Sequence, residues 1–202
     1  MMMEALSVVL AYLVGSIPFG LIVVRLMTGA DVRAGGSGNI GATNVLRTTG
    51  RLAGVLTLLL DGGKGFFAVW LAGYLTHGST LSMSFAALAV LLGHAFSIFL
   101  RFTGGKAVAS FVGAYAYLTP VPLLAVVLLF VFLVAWTRYL SLGSIAAAAL
   151  FPVACWMILH PDWPVLVSAL GAAILIVERH RGNIARIRAG EERVFRFGRT
   201  PN

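Results

Sequence analysis

A run of 31 residues without a charged side chain, at positions 107–137, constrains this chain more than any other feature. As a single α-helix it would measure about 46 Å, which exceeds the roughly 30 Å hydrocarbon core of a bilayer. Its centre, at 119–122, reads Thr-Pro-Val-Pro, and a residue that precedes proline is pushed out of the helical region. We therefore predict a tight hairpin that joins two short membrane spans.

Five further apolar stretches are candidates for membrane spans. They cover residues 5–24, 52–76, 78–100, 139–159 and 163–177. The composition agrees, because 59% of the residues are hydrophobic and 11% are charged, against about 25% charged in soluble domains. These values exclude a soluble globular enzyme and a disordered chain. The sequence predicts an all-α integral membrane bundle of about seven transmembrane helices, organised as one domain over residues 1–202.

The basic residues predict the orientation of this bundle. Fourteen of the 15 Lys and Arg residues fall in alternate connecting segments or in the C-terminal tail, and only Lys64 lies within a span. Because such residues are retained in the cytoplasm, we expect the N-terminus outside and the C-terminus in the cytoplasm. No basic region precedes the first apolar stretch, so we expect that stretch to remain as a span. The net charge of +8 therefore needs no nucleic-acid partner.

The first cytoplasmic connection is rich in glycine and in hydrogen-bond donors. Six glycines lie between positions 29 and 50, and polar side chains are interleaved with them. Those side chains are Ser37, Asn39, Thr43, Asn44 and Arg47. Converging backbone N–H groups bind anions, and a guanidinium group matches the geometry of phosphate. A flexible linker is the simpler alternative, but the close spacing of these residue types favours an anion site.

Two further polar clusters lie on the same predicted face. Gly104 and Gly105 precede Lys106 at a membrane exit, where Lys106 is either an interfacial anchor or a ligand approached closely by the glycine backbone. His180 and Asn183 follow the last span. Together the three clusters, at 33–47, 103–106 and 180–186, predict a cationic site for a phosphate-bearing substrate, reachable by an acyl chain from the bilayer.

Asp61 and Lys64 are ionisable residues inside an apolar stretch, and their i, i+3 spacing allows them to face one another on a helix. Intramembrane charges are frequently functional, but a mutual ion pair is a sufficient structural explanation, and we favour it. This pair is also the feature that supports the alternative function, a small transporter or channel for an anionic solute. The single cysteine and the spacing of the histidines indicate no disulfide and no metal site.

The sequence resembles the PlsY family of bacterial integral membrane acyltransferases, which use acyl-phosphate and glycerol-3-phosphate. The resemblance rests on GSIPFG (15–20), GSGNIGATNVLR (36–47), LDGGKG (60–65), GHAFSIFLRFTGGKAVAS (93–110), TRYLSLGSI (137–145) and RHRGNIARI (179–187). It covers nearly the whole chain, with the motifs in the family's order. Three departures stand out, since the family usually has proline at the position of Ser97, lysine at Thr103 and glycine at Ala107.

The resemblance implies a seven-helix enzyme of the bacterial inner membrane, with its active site facing the cytoplasm. It implies transfer of an acyl group to the 1-hydroxyl of glycerol-3-phosphate in phospholipid biosynthesis, with neither metal nor cofactor, and it leaves the oligomeric state open. The residues that match the family's polar site are Ser37, Arg47, Lys106, His180 and Asn183, joined by Ser144 or Ser141. Gly38, Asn39, Thr43, Asn44, Gly104 and Gly105 match its substrate-binding motifs.

The roles expected from this resemblance are mainly electrostatic. Arg47 and Lys106 would bind the two substrate phosphates, and Ser37 would donate to the leaving phosphate or to the oxyanion. His180 would act either as the general base or as an orienting group, while a substrate phosphate takes the proton. We favour the substrate-assisted version, without a covalent intermediate.

Overall fold

The computed structural model describes residues 1–195, so Arg196 and Arg199 of the basic tail lie outside the described residues. The described part of the chain contains ten α-helices and two short 3₁₀ turns, and its all-α class agrees with the prediction. The helices are α1 (Met2–Ser16), α2 (Phe19–Thr28), α3 (Ala42–Thr48), α4 (Arg51–Leu75), α5 (Thr80–Ala95), α6 (Val108–Leu118), α7 (Pro120–Thr137), α8 (Leu140–Leu159), α9 (Trp163–Arg179) and α10 (Arg181–Arg188).

Seven apolar helical segments in the described residues correspond to the predicted spans. Four are long enough to cross a bilayer, namely Met2–Thr28, which joins α1 and α2, and the helices α4, α7 and α8. Helices α9 and α10 form a bent pair with an angle of 56° between them, and α5 and α6 are shorter apolar helices. In the described residues, four helices are thus long and apolar enough to cross a membrane, or five if the bent pair is one span, and the count of seven spans stays a prediction. The sidedness of the termini stays a prediction.

The helix breaks have local causes. The 107–137 stretch is interrupted at Thr119, whose φ of −146° is not helical, and the next helix begins at Pro120 as predicted. The first span is also divided, because Pro18 separates α1 from α2. The predicted third span, 78–100, is too long, since α5 ends at Ala95.

The chain beyond α5 turns back on itself instead of continuing the helix. Ser97 and Thr103 pair as an isolated antiparallel bridge, and the two residues at the tip, Arg101 and Phe102, both have positive φ. The hydroxyl of Ser97 donates a 2.5 Å hydrogen bond to the Ser16 carbonyl. This serine, which stands where the family usually has proline, thereby anchors the turn to the end of α1.

The helices group into two compact units, residues 1–118 and residues 119–195 of the described chain. In the first unit, α1 packs on α5 and α4 packs on α6. Glycines lie at both crossings, and a Cβ on Gly15, Gly93, Gly65 or Gly113 would collide with backbone atoms of the facing helix. Small residues of this kind allow helices in membranes to approach closely. The single-domain organisation over residues 1–202 stays a prediction.

In the second unit, α8 packs against both α7 and α9. The core of α8 contains the fully buried side chains of Phe151 and Cys155. Gly143 lies against the side chains of Phe130 and Val134, where a Cβ would be crowded. This packing holds the beginning of α8, which carries Ser141 and Ser144.

Candidate functional site

The side chain of Asn44 organises the glycine-rich connection between α2 and α4. Its amide nitrogen donates to the carbonyls of Val32 and Gly35 at 3.2 Å and to that of Asn39 at 2.8 Å. Its amide oxygen accepts a 2.8 Å hydrogen bond from the Ser37 N–H. Since Asn44 is 2% exposed and its polar atoms are engaged by the loop, we assign it a loop-shaping role.

The glycines of this loop are required by its backbone geometry. Gly36 and Gly38 have φ values of +61° and +68°, which favour glycine over residues with a Cβ. A Cβ on Gly36 would also collide with the Asn44 amide oxygen. The loop therefore has a defined conformation with Ser37 exposed between the two glycines, and it is not a flexible linker.

The remaining polar residues of this motif have distinct places. The Asn39 side chain accepts a 2.8 Å hydrogen bond from the Gly41 N–H, so it also shapes the loop. Thr43 is exposed in the first turn of α3. Arg47 is half-buried near the end of that seven-residue helix. Of these three residues, Asn39 thus serves the loop conformation, and the roles of Thr43 and Arg47 stay predictions.

An acidic residue at the start of the loop is neutralised locally. Asp31 lies 2.6 Å from Arg33 Nη2 and 3.7 Å from Arg25 Nη2. The side-chain and main-chain hydrogen bonds from Arg33 lower the pKa of Asp31 from 3.8 to about 2. Arg33 is therefore engaged by Asp31.

The turn that precedes the Gly104–Lys106 segment contributes one residue to the apolar core of the first loop. Leu100, from the turn after α5, is buried in a cluster with residues from α2, the first loop, α3 and α4. That cluster comprises Leu21, Val23, Val24, Val32, Ile40, Val45, Ala53 and Leu100. Thr103, where the family usually has lysine, donates its hydroxyl to the Leu100 carbonyl at 2.6 Å. Leu100 and Thr103 thus connect the turn before Lys106 to the core that also holds the first loop and α3.

Asp61 and Lys64 form the ion pair that their spacing predicts. Lys64 Nζ lies 2.8 Å from Asp61 Oδ1, and each side chain is 2% exposed. Lys64 also donates a 2.8 Å hydrogen bond to the Ile17 carbonyl, at the break between α1 and α2. A third member, which the sequence did not indicate, is His94, whose Nδ1 lies 3.6 Å from Asp61 Oδ1.

The C-terminal cluster is organised by Glu192, a residue that sequence reasoning missed. Its carboxylate accepts hydrogen bonds from Ser141 Oγ at 2.8 Å, Asn183 Nδ2 at 2.7 Å and Arg186 Nε at 2.9 Å. Although burial raises the pKa of Glu192, the hydrogen bonds from Asn183, Ser141 and Arg186 outweigh it and lower the pKa below 4.5. The signal available in the sequence was an acidic residue within an arginine-rich tail.

This network distinguishes the two candidate serines. Ser141 is buried and bound to Glu192, whereas Ser144 is half-buried and donates a 2.9 Å hydrogen bond to the Leu140 carbonyl of its own helix. Asn183, through its amide nitrogen, shares the same carboxylate oxygen as Ser141. Ser141 and Asn183 therefore meet at one carboxylate oxygen, and which of the two serines contacts a substrate stays a prediction.

His180 is held by the backbone of α9. Its Nδ1 lies 2.7 Å from the Ile176 carbonyl, and because a carbonyl can only accept, Nδ1 carries the hydrogen. In the neutral ring Nε2 is then the acceptor nitrogen. His180 is 3% exposed, so its orientation is set by packing as well as by this bond.

The structure therefore brings the predicted residues together in two groups. Within the first unit, the turn before the 103–106 segment shares a core with the loop at 33–47. His94 lies between Asp61 and the Gly104–Gly105 backbone. Within the second unit, Ser141, Asn183 and Arg186 surround Glu192. Convergence of all three clusters on one face stays a prediction.

These features define a class of protein, a multi-pass helical membrane protein with glycine-rich segments that carry basic side chains. A sequence profile described as glycerol-3-phosphate acyltransferase matches residues 5–190, a range that spans both units. The chain therefore belongs to the glycerol-3-phosphate acyltransferase family, of the integral membrane PlsY type.

Curated relatives support this assignment over nearly the whole chain. The glycerol-3-phosphate acyltransferase of Trichlorobacter lovleyi is 46% identical over 186 residues, which cover 92% of this chain and 94% of the relative. That of Geobacter sulfurreducens is 44% identical over 197 residues, which cover 97% of this chain and all of the relative. The membrane multi-pass fold and the enzyme family thus rest on full-length similarity.

Two crystal structures of PlsY have the same fold. The glycerol 3-phosphate form, described as an integral membrane glycerol 3-phosphate acyltransferase, superposes with a TM-score of 0.89, 38% identity and 96% of each chain covered. The lysophosphatidic acid form gives a TM-score of 0.87, 36% identity and coverage of 96% of this chain and 95% of that one.

Proposed function

We propose that this protein transfers an acyl group from acyl-phosphate to the 1-hydroxyl of glycerol-3-phosphate, releasing lysophosphatidic acid and phosphate. Membership of the glycerol-3-phosphate acyltransferase family supports the acceptor and the reaction class. The observation that carries the two-phosphate reading is that Leu100, in the turn before Lys106, packs in the same apolar core as Ile40 and Val45 beside Arg47. The proposal places the enzyme in the bacterial inner membrane, with this site on the cytoplasmic side, where the basic residues cluster.

The proposed reaction needs positioning more than chemical activation. The glycerol hydroxyl oxygen forms a bond to the acyl carbonyl carbon, and the bond from that carbon to the phosphate oxygen breaks. The hydroxyl proton passes to a phosphate oxygen, so atoms and charge balance. Because an acyl-phosphate is a mixed anhydride with a good leaving group, orienting the two substrates and stabilising negative charge are the main tasks of the protein.

Each residue has a role in this scheme that its surroundings support. Arg47 and Lys106 bind phosphate, and Ser37, held between Gly36 and Gly38, donates to the leaving phosphate or to the developing oxyanion. Gly38 and Gly105 allow the backbone to approach the substrates. In the second unit, Ser144 and Asn183 contact the substrate, and Glu192 orients Asn183.

His180 acts as an orienting acceptor in this proposal. With its Nδ1 donating to the Ile176 carbonyl, the neutral ring presents Nε2 as a hydrogen-bond acceptor. The group bonded to Nδ1 is a neutral carbonyl, which stabilises an imidazolium less than a carboxylate in that place would. A substrate phosphate is therefore the better final acceptor of the proton. His180→Gln keeps a polar group near the Nε2 position, and a fall in kcat of about tenfold is expected, against the 10²–10⁴ typical of a lost general base.

The transporter alternative loses its main support. Asp61 and Lys64 neutralise one another in a buried pair, and Lys64 is further bound to the Ile17 carbonyl. Both residues are thus accounted for by internal contacts. Membership of an acyltransferase family then favours the enzyme.

The donor is tested with purified protein in detergent. Glycerol-3-phosphate is supplied with either palmitoyl-phosphate or palmitoyl-CoA, and both phosphate release and the lipid product are measured. We expect product and stoichiometric phosphate from palmitoyl-phosphate alone, with Lys106→Ala as the impaired control. Product from palmitoyl-CoA and none from palmitoyl-phosphate would overturn the donor assignment, and no product from either would overturn the activity.

A further inference from the structure

The end of α5 bears directly on the Gly104–Lys106 segment. His94 is the next-to-last residue of α5, and its main-chain carbonyl accepts a 3.1 Å hydrogen bond from the Gly105 N–H. The last four carbonyls of a helix have no partner within the helix, so this bond satisfies one of them with the backbone of the segment. Gly105 is therefore held in place one residue before Lys106.

The two glycines pack against His94 itself. A Cβ on Gly105 would collide with His94 Nε2, and a Cβ on Gly104 would collide with the His94 carbonyl oxygen. The glycine pair is thus explained by close approach to this histidine. The resemblance to the PlsY family assigns these glycines to substrate binding, and the structure adds a protein contact that the same residues make.

The imidazole ring is itself fixed from the other side. His94 Nδ1 lies 3.4 Å from Ser110 Oγ and 3.6 Å from Asp61 Oδ1. Asp61 is held by Lys64 at 2.8 Å, and Lys64 by the Ile17 carbonyl at 2.8 Å. The side chain of His94 is 3% exposed. Its ring lies between the Asp61 carboxylate, which is paired with Lys64, and the Gly105 backbone.

We propose that His94 is a positioning residue for Lys106. Its carbonyl and imidazole hold Gly104 and Gly105, and the Asp61–Lys64 pair holds the imidazole. The intramembrane pair thereby acts on the substrate site without contacting the substrate. This proposal rests on the proposed function, in which Lys106 binds a substrate phosphate.

The test compares His94→Ala with Lys106→Ala. First, KM values for glycerol-3-phosphate and for palmitoyl-phosphate identify the substrate whose KM the Lys106→Ala change raises. His94→Ala is then expected to raise the KM for that same substrate by about tenfold, because displacing a binding group by a fraction of an ångström weakens its interaction. The KM of the double variant should not exceed that of Lys106→Ala, since both changes remove one interaction.

The matched control is Val90→Ala. Val90 is fully buried one turn before His94 on α5, and its backbone faces Gly15 in α1. This truncation weakens the packing of α5 without touching the glycine pair, so we expect a lower melting temperature and unchanged KM values. His94→Asn, which keeps a donor near the Nδ1 position, should give a KM between those of the wild type and His94→Ala.

The proposal is overturned if His94→Ala retains wild-type KM values, or if its effect multiplies with that of Lys106→Ala. It is also overturned if both His94 variants fail to fold while Val90→Ala folds, because His94 would then serve folding alone. If the wild-type protein does not consume palmitoyl-phosphate, the donor assignment fails separately. The same comparison is then made with the Kd for glycerol-3-phosphate measured by calorimetry, and no binding by the wild type overturns both.

Discussion

Two acidic residues, the buried Asp61 in the first unit and the half-buried Glu192 in the second, are held in this protein by different kinds of contact. Asp61 is paired with a lysine one turn along the same apolar helix, and its Oδ1 lies close to both Lys64 and His94. Glu192 is instead the acceptor of three directed hydrogen bonds, one of them from a serine 51 residues earlier in the chain. Asp61 is thus stabilised by the nearby charge of Lys64, and Glu192 by three directed hydrogen bonds.

This difference indicates where each acid acts. Because Asp61 and Lys64 lie one turn apart on the same helix, their ion pair forms whenever α4 forms. The pair places two charged side chains in the apolar interior of the first unit. The hydrogen bonds between Glu192 in the tail and its partners in α8 and α10 form only after those elements have packed together. Glu192 therefore ties the end of the chain to the residues proposed to contact the substrate. The four predictions below test this contrast, in order of expected effect.

The largest effect is expected from removing one member of the Asp61–Lys64 pair. Lys64→Met leaves the Asp61 charge buried without its cation, which costs about 3–5 kcal/mol when one partner of a buried pair is removed. The double variant with Asp61→Asn removes both charges and should recover most of that loss. Melting temperatures in detergent measure the difference. Equal melting temperatures for the single and double variants would show that charge balance does not stabilise this region.

A smaller effect is expected from Glu192→Gln, which keeps the shape of the side chain and removes its charge. Hydrogen bonds to charged groups contribute about 1.5–3 kcal/mol each, and the amide retains part of that, so we expect a loss of about 2 kcal/mol. Misorientation of Asn183 should also lower kcat/KM by about tenfold. Glu191→Gln is the matched control, because Glu191 is the exposed neighbour in the chain. Equal losses in both variants would contradict the network.

The pH dependence of stability separates Glu192 from its variant. Because the pKa of Glu192 is lower in the folded state than its ordinary value of 4.5, folding favours the ionised form. Its contribution is therefore complete above pH 4.5 and is lost as the pH falls through the folded-state pKa. We expect the difference in melting temperature between the wild type and Glu192→Gln to shrink below pH 4.5. If the difference in melting temperature stays constant from pH 7 to below pH 4.5, ionisation of Glu192 does not contribute to stability.

The smallest effect is expected at Ala107, where the family usually has glycine. Ala107 is buried and has a φ of +61°, a conformation that costs an L-residue about 1–2 kcal/mol. Ala107→Gly removes that strain but adds a chain-entropy cost of about 0.5–1 kcal/mol, so a gain between zero and about 1.5 kcal/mol is expected. The matched control, Ala109→Gly within α6, should lose about 1 kcal/mol. A loss of stability in both would show that the Ala107 backbone is unstrained.

Much of the fold could be predicted because it depends on local pattern. Apolar stretches and prolines predict the seven segments and the break at Thr119, and the i, i+3 spacing predicts the Asp61–Lys64 pair. The end of α5 at Ala95 could not be predicted, because apolar residues continue to Leu100 and hydropathy does not distinguish a helix from a packed turn. That turn depends on Ser97 reaching a carbonyl of another helix.

The candidate site divides in the same way. Residue types suited to phosphate, such as Arg47 and Lys106 among glycines, are recognisable in the sequence because the chemistry requires them. The commitment of Asn44 to shaping its loop, and of Ser141 to Glu192, is visible only in space. In both cases a side chain bonds to partners that no sequence spacing indicates.

The sequence by itself determined that the chain is an all-helical membrane protein with basic, glycine-rich segments outside its spans, because bilayer thickness and backbone hydrogen bonding leave few other solutions. Only the tertiary structure decided what holds those segments. Contacts from His94 to Gly105 and from Glu192 to Asn183 link residues 11 and nine positions apart through turns whose direction is set by packing. The residue types of the site can be recognised in the sequence because the chemistry of phosphate binding requires them. Their positions relative to one another depend on how the helices pack.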